Sequence, residues 1–437
     1  MNDKKYGSLT DRQTQLISSL TRDFIHTVRD PLHKDISMSE GFRELSKSRV
    51  MISLHRVRQL GPAYLTYPGA THSRYEHSLG VFHMSRQIIL SILSRFPQDK
   101  ELPFTMNGIL AFLSAAMLHD IGHFPYAHVL KDIISPSHEQ IGAKIIESDA
   151  EILSILENIG ADVSSVCQIL DDSRNCDDRE ILIYRALLSG TLDPDKLDYL
   201  SRDALYCGVP YGIQDSSYII RNMHFDENNT LCIPKEAMGA VEHLLFSKYL
   251  MYKYVYWHKR TRSATAMIKK GVLIGLSRNL FTMEDFINLD DESFSYMMRN
   301  CEDGESKDLF DMVHNGSLLE EKAILPFKET DSVHAECSRR FEKRDEIEQN
   351  LWERLMDEYP QLQRHHVILD LPERVSFETK LSIRDDAGRK LSSFEVENRL
   401  FSKNAMESFT SALRTFRVFA PSFVSAEKTQ FILETIL

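Results

Sequence analysis

The sequence is poor in cysteine and has no long apolar run. Its 437 residues include six cysteines, none in a C-x-x-C pair, which argues against a zinc ribbon or a disulfide framework. The most apolar stretch, at 108–118, is shorter than the roughly 20 residues that a membrane helix needs. The N-terminal stretch lacks the apolar segment of a secretory signal. We therefore expect free thiols, no membrane partner and a cytoplasmic location.

An excess of positive charge is also missing. The chain has 52 lysines and arginines against 64 aspartates and glutamates, a formal net charge of −12 at pH 7. This balance argues against a general nucleic-acid partner, although a local basic pocket can exist on an acidic protein. The chain is long enough for two or three domains with a large apolar core.

Helical periodicity dominates most of the sequence. Apolar residues recur at spacings of three to four in the stretches 79–96, 107–120 and 234–270. The second of these is apolar nearly all round, which is typical of a central helix. Shorter strand patterns occur at 223–234, 365–371 and 380–394. We predict a mainly α protein, with a helical core, small β-hairpins and an α+β C-terminal region.

The composition changes after about residue 275, where acidic and strongly charged helical segments begin. We therefore divide the chain into three parts: an N-terminal arm at 1–29, a helical core at 30–275 and a C-terminal region at 276–437. The C-terminal region is expected to serve oligomerisation or regulation.

Ionisable residues are concentrated after the central helix, in LHDIGHFPYAH at 118–128. Gly122 is a helix-stop signal, so His119 and Asp120 are expected in the last helical turn. Two further histidines are expected on the loop that follows: His123 and His128. Any one of these histidines alone is more often a core residue with a satisfied hydrogen bond. Four clustered ionisable groups beside a buried helix instead indicate a metal ion or an anionic ligand, because burial without partners is costly.

Two other polar clusters flank this one in the sequence. PGATHSRYEHSLGVFHM at 68–84 places four polar residues before a helix that is expected to begin near Ser78: His72, Arg74, Glu76 and His77. SGTLDPDKLDYLSRD at 189–203 opens a helix at Pro194. On that helix we expect one face to carry Asp195, Tyr199, Arg202 and Asp203. Taken alone, the first cluster also fits a polar loop with a helix cap, and the second fits a solvated helix N-terminus.

In this order, the three clusters resemble the HD-domain metallophosphohydrolases. HEQIG at 138–142 and YVYWHK at 254–259 extend the resemblance, which covers roughly residues 26–270. The dipeptide HD is a weak signal by itself, but the H…HD…D pattern within these longer stretches is specific. The similarity is greatest to the dNTP triphosphohydrolase branch of the family, without the SAM domain that the animal proteins add.

The resemblance implies one divalent metal ion. Its ligands would be His77, His119, Asp120 and Asp195. Two imidazoles and two carboxylates suit Mn²⁺, Fe²⁺, Mg²⁺, Ni²⁺ or Zn²⁺ without distinguishing among them. A second Mg²⁺ would accompany the triphosphate.

The resemblance also implies catalytic residues around the scissile phosphate. They are His123, His128, His138, Glu139 and Arg74. The histidines would protonate the leaving oxygen or orient water, since their pKa lies near working pH, and Glu139 would orient a neighbouring group. Arg74 matches an arginine that holds the α-phosphate. Lys196 and Tyr199 match contacts to the triphosphate.

Further substrate contacts carry over residue by residue. They are Gln59, Leu60, Asp203, Lys248, Tyr252, Tyr256 and His258. Gln59 and Asp203 match groups that bind the sugar 3′-hydroxyl. Leu60 and Tyr256 fall where the family crowds the sugar 2′ carbon, which would reject a ribose hydroxyl. We expect one helical face to carry Lys248, Tyr252, Tyr256 and Lys259, because they recur at helical spacing. Without the resemblance, core packing explains an aromatic-rich helix equally well.

Some positions depart from the family pattern. Lys34 stands where a glycine is usual, which is expected to alter the N-terminal turn. Lys131 stands where a carboxylate commonly partners the catalytic histidine. Lys248 stands where the animal enzymes have an arginine, so this phosphate contact is expected to be weaker.

The function implied by the resemblance is hydrolysis of a dNTP to a deoxynucleoside and triphosphate by a homo-oligomer, a dimer or tetramer. Two alternatives stay open. One is hydrolysis of another nucleotide phosphoester, such as an alarmone, a nucleoside monophosphate or a cyclic dinucleotide. The other is a nucleotide-sensing oligomer with low turnover.

Overall fold

Helices make up most of the structure, a computed structural model that describes residues 9–131, 133, 136–225, 230–377, 379–384, 390–398 and 401–437. The helices are α1 Asp11–Arg22, α2 Glu40–Lys47, α3 Arg49–Ser53, α4 Arg74–Arg95, α5 Met106–Leu118, α6 Ala127–Leu130, α7 His138–Ser148, α8 Ala150–Ile159, α9 Val163–Leu170, α10 Arg179–Leu188, α11 Pro194–Cys207, α12 Ser216–Arg221, α13 Met238–Met251, α14 Lys259–Ser277, α15 Asp291–Arg299, α16 Gly304–His314, α17 Ser332–Arg339, α18 Phe341–Met356, α19 Phe394–Glu397, α20 Lys403–Leu413 and α21 Ala426–Ile436. The strands are β1 His26–Asp30, β2 Lys34–Met38, β3 His224–Phe225, β4 Leu231–Pro234, β5 Glu320–Pro326, β6 Ile368–Asp370, β7 Ser382–Arg384, β8 Lys390–Ser393 and β9 Thr415–Ala420. The predicted fold class, mainly α with small β elements, is confirmed.

Local sequence explains where the helices of the site begin. Ser73 and Glu76 form a capping box at the start of α4, and Ser137 opens a second one at α7. Asp193 caps α11, which has Pro194 at its first position, where a missing N–H costs nothing. These caps fix the helix ends that carry the polar residues.

The central helix α5 packs against α4 and α9, and nearly all of its residues are buried. This confirms the prediction from its continuous apolar pattern. The helix ends at Leu118, however, so His119 is its C-cap residue and Asp120 lies just beyond, rather than in the last turn. Gly122 does not adopt a positive φ. It is needed for close approach instead, because a Cβ atom there would lie 2.0 Å from the His138 carbonyl oxygen.

In the described part of the chain, three small sheets accompany the helices. Strands β1 and β2 form a hairpin, and β5, β9 and β6 form an antiparallel sheet. The third sheet has the order β3-β4-β7-β8, in which β4 and β7 pair in parallel. This pairing joins the predicted core to the predicted C-terminal region, and Phe394 and Leu413 share one apolar cluster with Leu16. The division into three parts stays a prediction.

The pattern at 234–270 is not one helix. Helix α13 ends at Met251, a π-helical turn covers Tyr252–Tyr256, and α14 begins at Lys259. The amide of Trp257 donates to the carbonyl of Tyr252 at 2.8 Å, which widens the backbone spiral. The expectation that this stretch presents one continuous face through residue 259 is therefore wrong.

Lys34 follows the turn of the β1-β2 hairpin with a φ of 68°, in the left-handed region that favours glycine. Among the described residues, no helix combines the length and apolar character that crossing a membrane requires.

Candidate active site

The four predicted metal ligands lie together. His77 is in the first turn of α4, which begins at Arg74 and not near Ser78 as expected from the sequence, because Ser73 and Glu76 cap it. His119 and Asp120 follow α5, and Asp195 is in the first turn of α11. The ligand atoms of His77, His119 and Asp120 all lie within 4.8 Å of one another. Nε2 of His77 is 2.9 Å from Oδ1 of Asp195, whose side chain is 40% exposed. Three distant segments of the chain thus supply one cluster.

The donor atoms of this cluster fit a divalent metal ion. Nδ1 of His119 donates to the carbonyl of Ala116 at 2.9 Å, while its Nε2 is buried and makes no hydrogen bond. A buried ring nitrogen without a partner, on an imidazole anchored through its other nitrogen, is the usual arrangement of a metal-binding histidine. The cluster can therefore hold a metal ion, and its mixture of nitrogen and oxygen ligands does not select one metal.

Asp198 holds the other side of His77. It lies 2.8 Å from Nδ1 of His77 and 2.6 Å from Nε2 of His33, and it accepts two hydrogen bonds from Arg202. Burial would raise the pKa of this carboxyl, but Arg202 and the two histidines hold it well below its usual range. Asp198 is therefore an ionised anchor that leaves Nε2 of His77 facing the cluster.

Arg202 is not on the face of α11 that carries Asp195 and Tyr199, contrary to the sequence expectation. Its side chain is fully buried and also binds Asp30 at 2.7 Å, since a buried guanidinium requires carboxylate partners. The i,i+4 spacing of Asp198 and Arg202 was a sequence signal for this pair.

The residues expected to contact the scissile phosphate lie next to Asp120. Nη1 of Arg74 donates to Oδ2 of Asp120 at 2.7 Å, and Nδ1 of His123 is 3.3 Å from Oδ1. Burial would raise the Asp120 pKa, but Arg74, followed by His123, His119 and His77, lowers it well below its usual range. Arg74 also has a buried Nε that makes no hydrogen bond.

Two histidine rings lie close together beside that carboxylate, tilted by 57° to each other. The rings of His123 and His138 are 3.9 Å apart, and Nε2 of His138 lies 3.0 Å from Oε1 of Glu139. Burial would raise the Glu139 pKa, but the His138 contact lowers it to about 2. His128 has its backbone in α6, and its side chain lies outside the described part of the structure.

A tyrosine and an aspartate form another pair in the same cavity. The Tyr256 hydroxyl donates to Oδ2 of Asp203 at 2.7 Å, and Nε2 of His72 lies 2.8 Å from Oδ1. Gln59 has a buried side-chain oxygen that accepts no hydrogen bond. Nζ of Lys196 binds Asp193 at 2.5 Å.

These groups line one cavity of about 550 Å³. The predicted site residues in its wall are Gln59, Leu60, Arg74, His77, His119, Asp120, His123, His138, Glu139, Asp195, Lys196, Tyr199, Asp203, Lys248, Tyr252 and Tyr256. His258 is not among them. The helix is interrupted after the π-helical turn, and the His258 ring packs edge-on against Tyr67, with the ring centroids 6.0 Å apart. The predicted substrate contact of His258 has no support from this geometry.

The sequence reasoning missed one whole wall of the cavity. Leu371 and residues 373–376 line it, and Nζ of Lys248 donates to the carbonyl of Ser376 at 2.7 Å. Arg58 and Arg262 were missed as well. The segment 371–376 carries no motif and follows a strand, so only the tertiary structure identifies it.

Comparison with known proteins agrees with this geometry. The family model described as HD domain matches residues 74–174, and the model described as HD associated region matches residues 214–422. The uncharacterized protein YwfO of Bacillus subtilis is 30% identical over 307 residues, which are 65% of this chain and 68% of that protein. The chain belongs to the HD-domain phosphohydrolase family. Its HD dipeptide is His119-Asp120, which belongs to the group of side chains that could hold a metal ion.

More distant relatives include proteins with named activities. The deoxynucleoside triphosphate triphosphohydrolase SAMHD1 of Gallus gallus is 22% identical over 340 residues, covering 66% of this chain and 55% of that protein. The SAMHD1 homolog of Dictyostelium discoideum is 24% identical over 296 residues, covering 64% and 56%. Apart from YwfO, the chain spans little more than half the length of these curated relatives. It covers 55% of the uncharacterized protein MJ1154 of Methanocaldococcus jannaschii.

Two crystal structures share the fold of this HD-domain protein. A phosphohydrolase from Bacteroides thetaiotaomicron superposes with a TM-score of 0.69 at 22% identity, covering 90% of this chain and 99% of the other. A hypothetical protein from Aquifex aeolicus gives 0.71 at 24% identity, covering 93% and 99%. In both, the shared fold extends beyond the helical core.

Proposed function

We propose that this chain is a metal-dependent hydrolase that converts a dNTP into a deoxynucleoside and inorganic triphosphate. One observation carries the proposal: the metal cluster and the Tyr256–Asp203 pair line the same cavity. A nucleotide bound between them would place its phosphates at the cluster and its sugar at the tyrosine. The named activity of the SAMHD1 relatives supports the same choice.

Residues of the phosphate side have separate roles in this proposal. The bound metal ion would supply Lewis acidity toward the α-phosphate and acidify water. The buried Nε of Arg74 is a donor available to a phosphate oxygen, while its Nη1 stays fixed by Asp120. Arg74 therefore positions the phosphate without a large rearrangement.

Proton transfer falls to His123 and His138, whose rings adjoin. The ionised Glu139 lies 3.0 Å from Nε2 of His138 and holds that ring beside His123. A histidine at that place would act as the general acid that protonates the 5′-oxygen of the leaving deoxynucleoside. Lys131 lines the cavity but cannot replace the missing carboxylate, because its ammonium would oppose the charge of a protonated histidine.

The sugar end supports selection of deoxyribose. The Tyr256 ring is held by its bond to Asp203, and Leu60 lines the same cavity. A ribose 2′-hydroxyl against these walls would lose hydration without gaining a partner. The unbonded oxygen of Gln59 is a suitable acceptor for a sugar hydroxyl.

The proposal is tested by product analysis. Protein loaded with Mn²⁺ or Fe²⁺ is incubated separately with dNTPs, NTPs, alarmones, nucleoside monophosphates and cyclic dinucleotides, and the phosphorus products are separated. Release of triphosphate from dNTPs supports the proposal. Orthophosphate or pyrophosphate without triphosphate points to another phosphoester, and binding without turnover points to a sensor.

Variants tie the activity to the metal cluster. His119→Ala and Asp120→Ala are expected to lose activity and retained metal together, whereas the exposed His314→Ala should keep both. Full activity in either cluster variant contradicts the metal assignment. The cytoplasmic location and the homo-oligomer, a dimer or tetramer, stay predictions; sedimentation analysis tests the oligomer.

A further inference from the structure

A second group of metal-ligand residues lies outside the active-site cavity. Asp308 is on α16, and His365 and His366 are in the 3₁₀ turn Arg364–His366 that precedes β6. One ligand atom from each of the three residues lies within 4.8 Å of the others. None of the three lines the cavity described above.

The two imidazoles point the same ring nitrogen at one carboxylate oxygen. Nε2 of His365 is 2.9 Å from Oδ2 of Asp308, and Nε2 of His366 is 2.6 Å from the same atom. The two ring centroids are 4.2 Å apart. The three ligand atoms are therefore close enough together to share one small cation.

The remaining nitrogen of His365 separates a metal site from a plain hydrogen-bonded cluster. His365 is a buried side chain, and its Nδ1 makes no hydrogen bond but lies 3.9 Å from Oε1 of Glu305. In a metal-free cluster, Nε2 carries the proton and Nδ1 is a buried acceptor facing a carboxylate, which is unfavourable. With a metal on Nε2, the proton moves to Nδ1 and points toward Glu305, the common outer partner of a metal-binding histidine.

We propose that Asp308, His365 and His366 form a second metal site, selective for Zn²⁺ or a similar borderline transition metal. Two imidazoles and one carboxylate leave a fourth tetrahedral position for water. The Asp308 side chain is 45% exposed, which gives the ion and this water access from solvent.

The site would link two parts of the fold. The residues after Asp308 on α16, Leu309 and Phe310, belong to the apolar cluster around α14 and α16. The strand after His366, β6, contributes Leu369 to the cluster that contains α18 and α21. A metal ion that binds only the folded protein would stabilise this junction by mass action.

The test separates this site from the active site. Full-length protein carrying His119→Ala and Asp120→Ala is stripped with a chelator and titrated with Zn²⁺ by calorimetry. One equivalent is expected to bind. Adding His366→Ala should weaken this binding at least tenfold. Adding the control His314→Ala, an exposed histidine on the helix that carries Asp308, should leave it unchanged.

Absence of zinc binding in the active-site variant overturns the proposal, as does equal binding by the His366→Ala and His314→Ala versions. Because His366→Ala could disturb folding, a second measurement uses the unmutated protein. Crystals soaked in Zn²⁺ should show an anomalous peak between Asp308 and the two histidines. A peak at the active site alone also overturns the proposal.

Discussion

Asp198 lies 2.8 Å from Nδ1 of His77, on the side of the imidazole that faces away from the metal cluster. This contact fixes the proton of the neutral ring on Nδ1 and leaves Nε2 available to a metal ion. The carboxylate is fully buried and is shared with His33 and Arg202. The proposed metal ligand His77 is thus held by residues from both the N-terminal hairpin and α11.

We expect Asp198→Asn to weaken metal binding about 10- to 100-fold, because an amide neither fixes the His77 tautomer nor balances Arg202. Calorimetric titration with Mn²⁺ measures the change, and thermal unfolding checks that the variant is folded. The exposed Asp177→Asn is the control and should bind metal normally. Unchanged affinity in Asp198→Asn would show that this contact does not position His77.

Lys34 follows the hairpin turn that carries His33 to Asp198. Its φ of 68° is strained for a side-chain-bearing residue, so Lys34→Gly should stabilise the protein by about 1 kcal/mol. Lys34→Ala removes the charge but keeps most of the strain and should have a smaller effect. Urea unfolding of both variants measures the difference; equal stabilities would remove the backbone explanation.

Tyr256 offers a test of sugar selection, which rests on the proposed function. Tyr256→Ala should lower the dNTP to NTP ratio of kcat/KM by about tenfold or more, because the wall beside the 2′ carbon is lost. Tyr256→Phe keeps the ring and should retain most selectivity, while losing the bond to Asp203. Tyr254→Ala, a half-exposed tyrosine of the same turn, is the control. The steric explanation fails if the Ala variant keeps its selectivity.

Gly122 allows α7 to approach the loop after α5. A Cβ atom there would lie 2.0 Å from the His138 carbonyl oxygen and 2.6 Å from the Gly142 nitrogen, both backbone atoms. We expect Gly122→Ala to cost about 2 kcal/mol in the free energy of unfolding. It should also reduce activity, since it separates His123 from His138. Gly239→Ala, where nothing lies within 4 Å, should change stability by less than about 1 kcal/mol.

The protonation of His77 predicts a pH effect in metal-free protein. Burial would lower the pKa of His77, but the hydrogen bonds to Asp195 and Asp198 outweigh burial and raise it to about 10, from 6.5. A raised pKa stabilises the fold below pH 6.5, and this stabilisation is lost as pH rises through about 10. The loss is at most about 1.4 kcal/mol per pH unit, the slope for one proton.

Urea unfolding in the presence of a chelator at pH 6.5 and 9.5 measures the loss of stability. The His77→Gln variant should lack the part of this loss that comes from deprotonation of His77. Metal affinity should change in the opposite direction and rise with pH, because the proton on His77 competes with the metal. A His77→Gln variant with the same pH dependence as the unmutated protein would contradict the assignment.

The proposed metal ligands could be selected from the sequence because they lie in recognisable stretches. His119 and Asp120 follow a helix whose apolar pattern is unmistakable, and Asp195 follows a proline that begins a helix. Their meeting with His77 came from the family resemblance, since periodicity does not show which helices pack together. The strand pairs at 223–234 and 380–394 were accessible for the same local reason.

Other features depend on tertiary structure that the local pattern does not encode. The parallel pairing of β4 with β7 joins residues about 150 positions apart. The π-helical turn at Tyr252–Tyr256 has the same apolar spacing as an α-helix, so the interruption of the helix before His258 could not be predicted from the pattern. The sequence pattern alone did not identify Asp198 as the partner of His77. The other histidine that contacts Asp198, His33, lies 165 residues away in the sequence.

The contact between Lys248 and Ser376 spans 128 positions of the chain and has a consequence for the order of synthesis. A nascent chain that has emerged only through α14 already contains the four proposed metal ligands but not the wall formed by residues 371–376. The cavity can therefore be enclosed only after the C-terminal region has been synthesised and has packed against α13.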